Sequence, residues 1–210
     1  MPKVPRRPDL EHLRKFAAET TVIPRGTELW RVYFRGGRHP TRWNEFRHVG
    51  PLDARFDHHE GDESRNQPRS AFYAAHNPVT CLAEVFQKTR TIHRSERDGW
   101  IVGFPVAEDI EVLNLMGSFA TKTGASMGLM TGARSVSRNW ARGFYDVYPN
   151  LLGIQYPSSM HANAPALVLN DRAERIDAIA HQPSFHRALA DPAILTILKN
   201  AARELGYALG

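Results

Sequence analysis

In SAFYAAHNPVTCLAEVFQK, residues 70–88, an apolar strand-like run passes within a few residues into an apolar run at helical spacing. Asn77 reads as an N-cap and Pro78 as the first helical residue, where a missing N–H costs nothing. The helix is expected to run to about Lys88, with Val79, Leu82, Val85 and Phe86 facing inward. A strand feeding directly into a helix commits the chain to a mixed architecture.

The rest of the chain repeats this mixture irregularly. ELWRVYF (28–34) is rich in β-branched and aromatic residues and reads as a strand, as do WIVGFPV, IEVLNL, GIQYPSS and ALVLN further on. Helices are expected after Asp9, with Leu10, Leu13, Phe16 and Ala17 on one face, and over 133–148. The last begins at Pro192 behind the cap Asp191 and ends before Gly206, with Ile194, Ile197, Leu198, Ala201 and Leu205 as its apolar stripe. That order predicts an α+β fold built on a single mixed sheet, not a doubly wound parallel one.

With 210 residues, 42% of them hydrophobic, the chain suits one domain. The expected division is a tail and short helix over 1–27, a main domain over 28–175, and a helical extension over 176–210 packed on it. Residues 1–8, rich in proline and arginine, read as an untethered tail. The polar stretch 35–68 shows no period and reads as a functional or disordered loop.

Net charge is +5, which favours an anionic partner: a nucleotide, phosphate, nucleic acid or an acidic protein. Cys81 is the only cysteine, so an internal disulfide and a cysteine zinc cage are excluded, and a reducing, cytoplasmic setting is expected. The N-terminus lacks the apolar core of a signal peptide, and no apolar run reaches membrane-spanning length.

Several residues stand out. Glu84 lies in the middle of the helical run after Pro78. Its spacing to Lys88 fits a surface ion pair one turn apart, and its place beside the buried stripe fits a carboxylate facing a cleft. Arg31 sits inside an apolar strand, either exposed at a sheet edge or held rigidly as an anion anchor. RFDHHEGDE (55–63) matches no metal-ligand spacing, and its adjacent histidines point apart in an extended chain, so no metal is expected. Ser158 and Ser159 lie in a turn without a nucleophile elbow. No glycine-rich phosphate loop occurs. Arginines 35, 38, 42 and 47, interleaved with Trp43 and Phe46, fit a nucleic-acid surface, a solvated loop or the phosphate-recruiting rim of an active site.

Taken in order, Arg31 in LWRVY, Glu84 in FYAAHNPVTCLAEVFQ and Ser158 in GIQYPSS resemble the landmarks of the RES-domain family. ARFDHH resembles the family's RF segment, and Tyr73 falls where the family has its tyrosine. The resemblance covers about residues 28–172; this chain has a longer segment between Arg55 and Tyr73 and added helices at both ends. It implies a fold like that of ADP-ribosyltransferase toxins and breakdown of NAD by hydrolysis or phosphorolysis. It also implies a toxin neutralised by an Xre-type antitoxin, with nucleic acid contacted only through that complex. Glu84, Arg31, Tyr73 and Ser158 would be catalytic, and Arg31, Arg55, Tyr73 and Ser158 would hold NAD.

NAD is then the substrate, with inorganic phosphate as a co-substrate in the phosphorolytic case and no cofactor. Nicotinamide leaves a cationic pyridinium as a neutral molecule and needs no general acid, so one carboxylate suffices where ordinary glycosidases use two. ADP-ribosyl transfer to a protein or nucleic acid, and a non-catalytic basic nucleic-acid module, are the competing readings. The terminal apolar stripe is expected in the core; where exposed, it would meet a second copy or an antitoxin.

Overall fold

The computed structural model describes residues 4–210. Its elements run α1 (Leu10–Leu13), β1 (Thr20–Ile23), β2 (Glu28–Phe34), β3 (Arg47–Gly50), β4 (Arg65–Ala75), α2 (Pro78–Val85), β5 (Thr91–Ile92), β6 (Gly99–Pro105) and β7 (Ile110–Asn114). They continue with α3 (Phe119–Lys122), α4 (Gly128–Thr131), α5 (Arg134–Val147), β8 (Gly153–Pro157), β9 (Pro165–Asn170), α6 (Asp171–Arg175), β10 (Phe185–Ala188), α7 (Leu195–Leu205) and β11 (Ala208–Leu209).

One mixed sheet organises the fold, in the order β1-β7-β8-β9-β4-β2-β6-β10, with β3 added beside β4. All its pairings are antiparallel except β7 with β8. The expected α+β class is what forms.

The sheet is nearly severed at its middle. β2 and β4 share a single register pair, Trp30 with Ala75. β2 meanwhile pairs with β6 along its whole length, and β4 with β9 over Ala71–Ala75. Past Trp30 and Ala75 the two central strands part, which opens a gap between two well-paired half-sheets.

Three apolar clusters hold this arrangement. Under α5, Trp140 and Phe144 pack with Leu113, Ile154 and Val168 of the sheet. Leu29, Phe72 and Phe104 form the centre of a second cluster. The third joins α2 to α7 through Leu82, Phe86, Leu198 and Ala201, so the C-terminal helix backs the helix that follows β4.

α2 begins as its sequence dictates: the Asn77 side chain accepts from the Val79 amide at 2.7 Å, with Pro78 behind it. It stops at Val85, short of the expected Lys88, because the Gln87 side-chain amide turns back onto the Glu84 carbonyl at 2.6 Å. Val85 is 37% exposed and Ile197 52%, against the inward placement expected for both.

Two segments expected to be loose are structured. Pro5 and Arg6 offer their carbonyls to Trp140 Nε1 (2.9 Å) and Asn139 Nδ2 (3.0 Å), so residues 4–8 lie along α5; residues 1–3 of the expected tail fall outside the described residues. The stretch 35–68 contains β3 and the first four residues of β4, and it packs Trp43 against Phe104 and Phe46 against Phe72. Phe56, Asp57, His58 and His59 are also buried. Burial alone would raise the Asp57 carboxyl, but the hydrogen bond from His59, the Arg47 charge and the Leu52 amide hold it well below the usual carboxylate range. Gly50 lets the His59 ring pack so close that any Cβ there would overlap it.

Candidate active site

The gap between β2 and β4 widens into a cleft of about 630 Å³, lined by Arg31, Arg55, Tyr73 and Glu84 among others. That size falls in the range of small-molecule sites, roughly 300–1,000 Å³. Seven arginines and lysines line it against two carboxylates, Asp53 and Glu84.

Glu84 projects from the last turn of α2, half-buried. The expected surface pair with Lys88 does not form: Lys88 Nζ bonds Asp53 Oδ2 at 2.9 Å instead. With the helix ended at Val85, the two residues no longer share an i,i+4 face. Among the described residues no cation pairs with the Glu84 carboxylate. Its partners are the Ser158 hydroxyl, which donates to Oε1 at 2.5 Å, and more distantly Gln87 Nε2 at 3.4 Å from Oε2.

Ser158 is fully buried and does not line the cleft. It follows β8, and its hydroxyl also accepts from the Met160 amide at 3.2 Å. The structure thus places it behind Glu84, holding the carboxylate.

Arg31 stands on a central strand, so the sheet-edge alternative for this residue is excluded. Its guanidinium lies 4.1 Å from the centroid of the Phe72 ring and donates to the Glu45 carbonyl at 3.1 Å. Burial brings its pKa down to about 10, partly offset by Glu45, so it stays charged at neutral pH. A planar cation fixed in this way, with donors to spare, suits a phosphate or carboxylate.

Arg55 is tied through Nη1 to the carbonyls of Leu129 (2.8 Å) and Gly132 (3.1 Å), which anchors it while the rest of its fork faces the cleft. Burial, then the neighbouring Arg134 charge, lowers its pKa. The Tyr73 hydroxyl donates to the Arg55 carbonyl at 3.2 Å, and burial keeps it a phenol throughout the accessible pH range.

The cleft therefore unites four of the five expected residues, with Ser158 directly behind. Two further participants are not among the residues singled out in the sequence. Arg134 opens α5 and bonds both Asp53 Oδ2 (2.7 Å) and Gln87 Oε1 (2.9 Å), which ties the two sides of the rim together. Tyr156 lines the cleft two residues before Ser158, and burial followed by the Glu84 charge raises its phenol; strand alternation from Ser158 would have found it.

Other features fall elsewhere. Of the basic loop, Arg38 and Arg47 reach the cleft, whereas Phe46 is buried and Trp43 is partly buried against the same cluster. His58 and His59 lie ring against ring, and among the described residues no three His, Cys, Asp or Glu side chains converge as a metal site. No helix is long and apolar enough to cross a membrane, among the same residues.

Known proteins were then compared with the chain. The model of one protein family, the RES domain, matches residues 28–190. No curated protein matches. Among solved structures, a chain from the crystal structure of the M. tuberculosis MbcT-MbcA toxin-antitoxin complex has the same fold, with a TM-score of 0.53 at 18% identity. The match covers 85% of this chain and 92% of that one.

Proposed function

Since the chain belongs to the RES-domain family, we propose that it degrades NAD by cleaving the nicotinamide–ribose bond, with water or inorganic phosphate as the acceptor. The observation that carries this reading is Glu84, the lining carboxylate with no cation partner among the described residues, held by Ser158 in a cleft where arginines and lysines outnumber carboxylates.

In this reading Arg31 and Arg55 hold the two negative charges of the pyrophosphate. Tyr73 borders the nicotinamide ring and offers it a flat face. The C1″–N bond breaks with its electron pair going to the pyridinium nitrogen, so nicotinamide leaves neutral and no acid is required. Positive charge develops on the ribose, and the Glu84 carboxylate stabilises it while orienting a ribose hydroxyl. Water then adds and loses a proton to give ADP-ribose; a phosphate oxygen adds to give ADP-ribose 1″-phosphate.

We further propose that the chain is the toxin of a toxin–antitoxin pair with a protein antitoxin as partner. The solved structure of like fold comes from such a complex. Against the nucleic-acid module stands the burial of Phe46, one of the two aromatics interleaved with the basic residues.

The test is incubation of purified protein with NAD, with and without phosphate, followed by product identification. Loss of NAD is expected from the wild type and about a hundredfold or more slower loss from Glu84→Gln, the size of effect seen when one group stabilising transition-state charge is removed. Full turnover by Glu84→Gln would end the assignment.

A further inference from the structure

We infer that His161 is a positioning residue for the Glu84–Ser158 pair, latching the turn 158–164 onto α2 and being anchored in its own place by Glu204 of α7. The kinetic part of this inference rests on the NAD-degrading reading above.

Thr80 and Glu84 lie four residues apart on α2 and so share one face, about 6 Å apart along the axis. The turn after β8 touches that face at both points. Ser158 Oγ donates to Glu84 Oε1 at 2.5 Å, and His161 Nδ1 lies 2.9 Å from Thr80 Oγ1. The other ring nitrogen of His161, Nε2, is 2.9 Å from Glu204 Oε1. A carboxylate only accepts, so Nε2 carries a proton toward Glu204, and Nδ1 and the Thr80 hydroxyl share a hydrogen bond. The imidazole is thereby fixed in orientation from both sides.

The turn needs such fixing. It is closed by Ser158 N–H to the Ala164 carbonyl (2.9 Å) and Asn163 N–H to the Ser158 carbonyl (3.1 Å). Ala162 and Asn163 take φ of +45° and +59°, and alanine in that region persists only where its surroundings impose it. Thr80 is fully buried, so its hydroxyl depends on His161 for a partner. His161 itself does not line the cleft and can act on chemistry there only through its neighbours.

The anchor is supplied by a part of the chain outside the family match, which ends at residue 190. The same segment braces α2 a second time, where the Tyr207 hydroxyl donates to the Ala83 carbonyl at 3.3 Å, one residue before Glu84. The C-terminal segment, α7 and the residues after it, thus reaches the candidate site from behind at two points.

The test compares His161→Ala, His161→Asn, Glu204→Ala and Glu204→Gln in the full chain. Loss of the latch is expected to lower kcat about tenfold in His161→Ala and about threefold in Glu204→Ala with KM little changed, the pattern of lost positioning without lost contact. His161→Asn, which can still meet Thr80, and Glu204→Gln, whose amide oxygen still accepts, are expected to recover most of the loss. Amide hydrogen exchange is measured on the same proteins, and faster exchange at Ser158 and Asn163 is expected in His161→Ala whether or not NAD is consumed. A wild type without NAD turnover sinks the functional reading and leaves the latch to be judged by exchange. Unchanged exchange, or kcat of His161→Ala within twofold of an active wild type, overturns the latch.

Discussion

Replacing Ser158 with alanine separates two roles open to a serine beside the Glu84 carboxylate. If its hydroxyl held NAD, the variant would bind substrate less well. If it holds Glu84, the variant would bind NAD normally and turn it over slowly. The geometry supports the second: Ser158 is fully buried, absent from the cleft wall, and 2.5 Å from Glu84 Oε1.

The magnitude follows from the type of bond. A hydrogen bond to a charged group contributes about 1.5–3 kcal/mol net. Glu84 is half-buried and opens on the cleft, so water replaces part of the lost donor and the lower end of that range applies. About 1.5 kcal/mol corresponds to roughly a tenfold fall in kcat. KM should stay within about twofold of the wild type, because the deleted atom touches no substrate. Steady-state NAD consumption, with thermal melts to confirm folding, measures both quantities, and intact-mass spectrometry of the reacting wild type should show no ADP-ribosyl adduct on Ser158. A raised KM at unchanged kcat would return Ser158 to the substrate-binding wall. A trapped adduct would make it a nucleophile and refute the positioning argument.

Arg31→Lys keeps the charge but loses the planar fork fixed against Phe72, so NAD binding should weaken about tenfold, read as a rise in KM or by calorimetry with the Glu84→Gln protein; unchanged affinity would remove Arg31 as an anion anchor. The fold should also lose stability on mild acidification through His58, whose imidazole burial, helped by the charge of His59, lowers from 6.5 to about 3. The unfolded chain takes up this proton between those values and the folded chain does not, so the stability is fully present above pH 6.5 and declines as pH falls through the window. Between pH 7 and 5 the loss is about 2 kcal/mol, and urea unfolding of His58→Phe should lack that part of the slope. Asp57 contributes little between pH 7 and 5, because its carboxyl titrates at its ordinary 3.8 in the unfolded chain and below that in the fold. An unchanged slope in His58→Phe would show that another group drives the loss.

How much of this could be read from the sequence depends on the range of the interactions involved. The start of α2 was legible because Asn77 and Pro78 act on their immediate neighbours. Its end was not, because Gln87 folds its side chain back onto the Glu84 carbonyl, a choice no periodicity encodes. Strands of two to four residues, such as β1, β5, β10 and β11, are too short to show a period and exist only by pairing with distant partners. The stretch 35–68 reads as a loop because polar side chains, Asp57, His58 and His59, are buried there beside Phe46 and Phe56 and break any apolar period. Asp57 pairs with both Arg47 and His59 inside the fold, and composition counts each of them as a surface residue.

The site shows the same division more sharply. Glu84 and Lys88 have the spacing of a helix-surface pair, and that local rule fails because the helix ends between them and Asp53 captures the lysine from far along the chain. Arg134 joins Lys88 on Asp53, which leaves Glu84 as the lining carboxylate without a cation of its own among the described residues. This asymmetry gives the cleft its chemical character. In the proposed reaction, an excess of positive charge would draw in an anionic dinucleotide, while the one uncommitted negative charge, on a short helix and braced by Ser158, would be available to a cation that develops only as the glycosidic bond breaks. Were Glu84 paired with Lys88, its charge would already be spent in the ground state. The capture of Lys88 by Asp53 is thus part of what makes the proposed reaction feasible, and it lies in the pairing of rim residues that only the folded chain brings together.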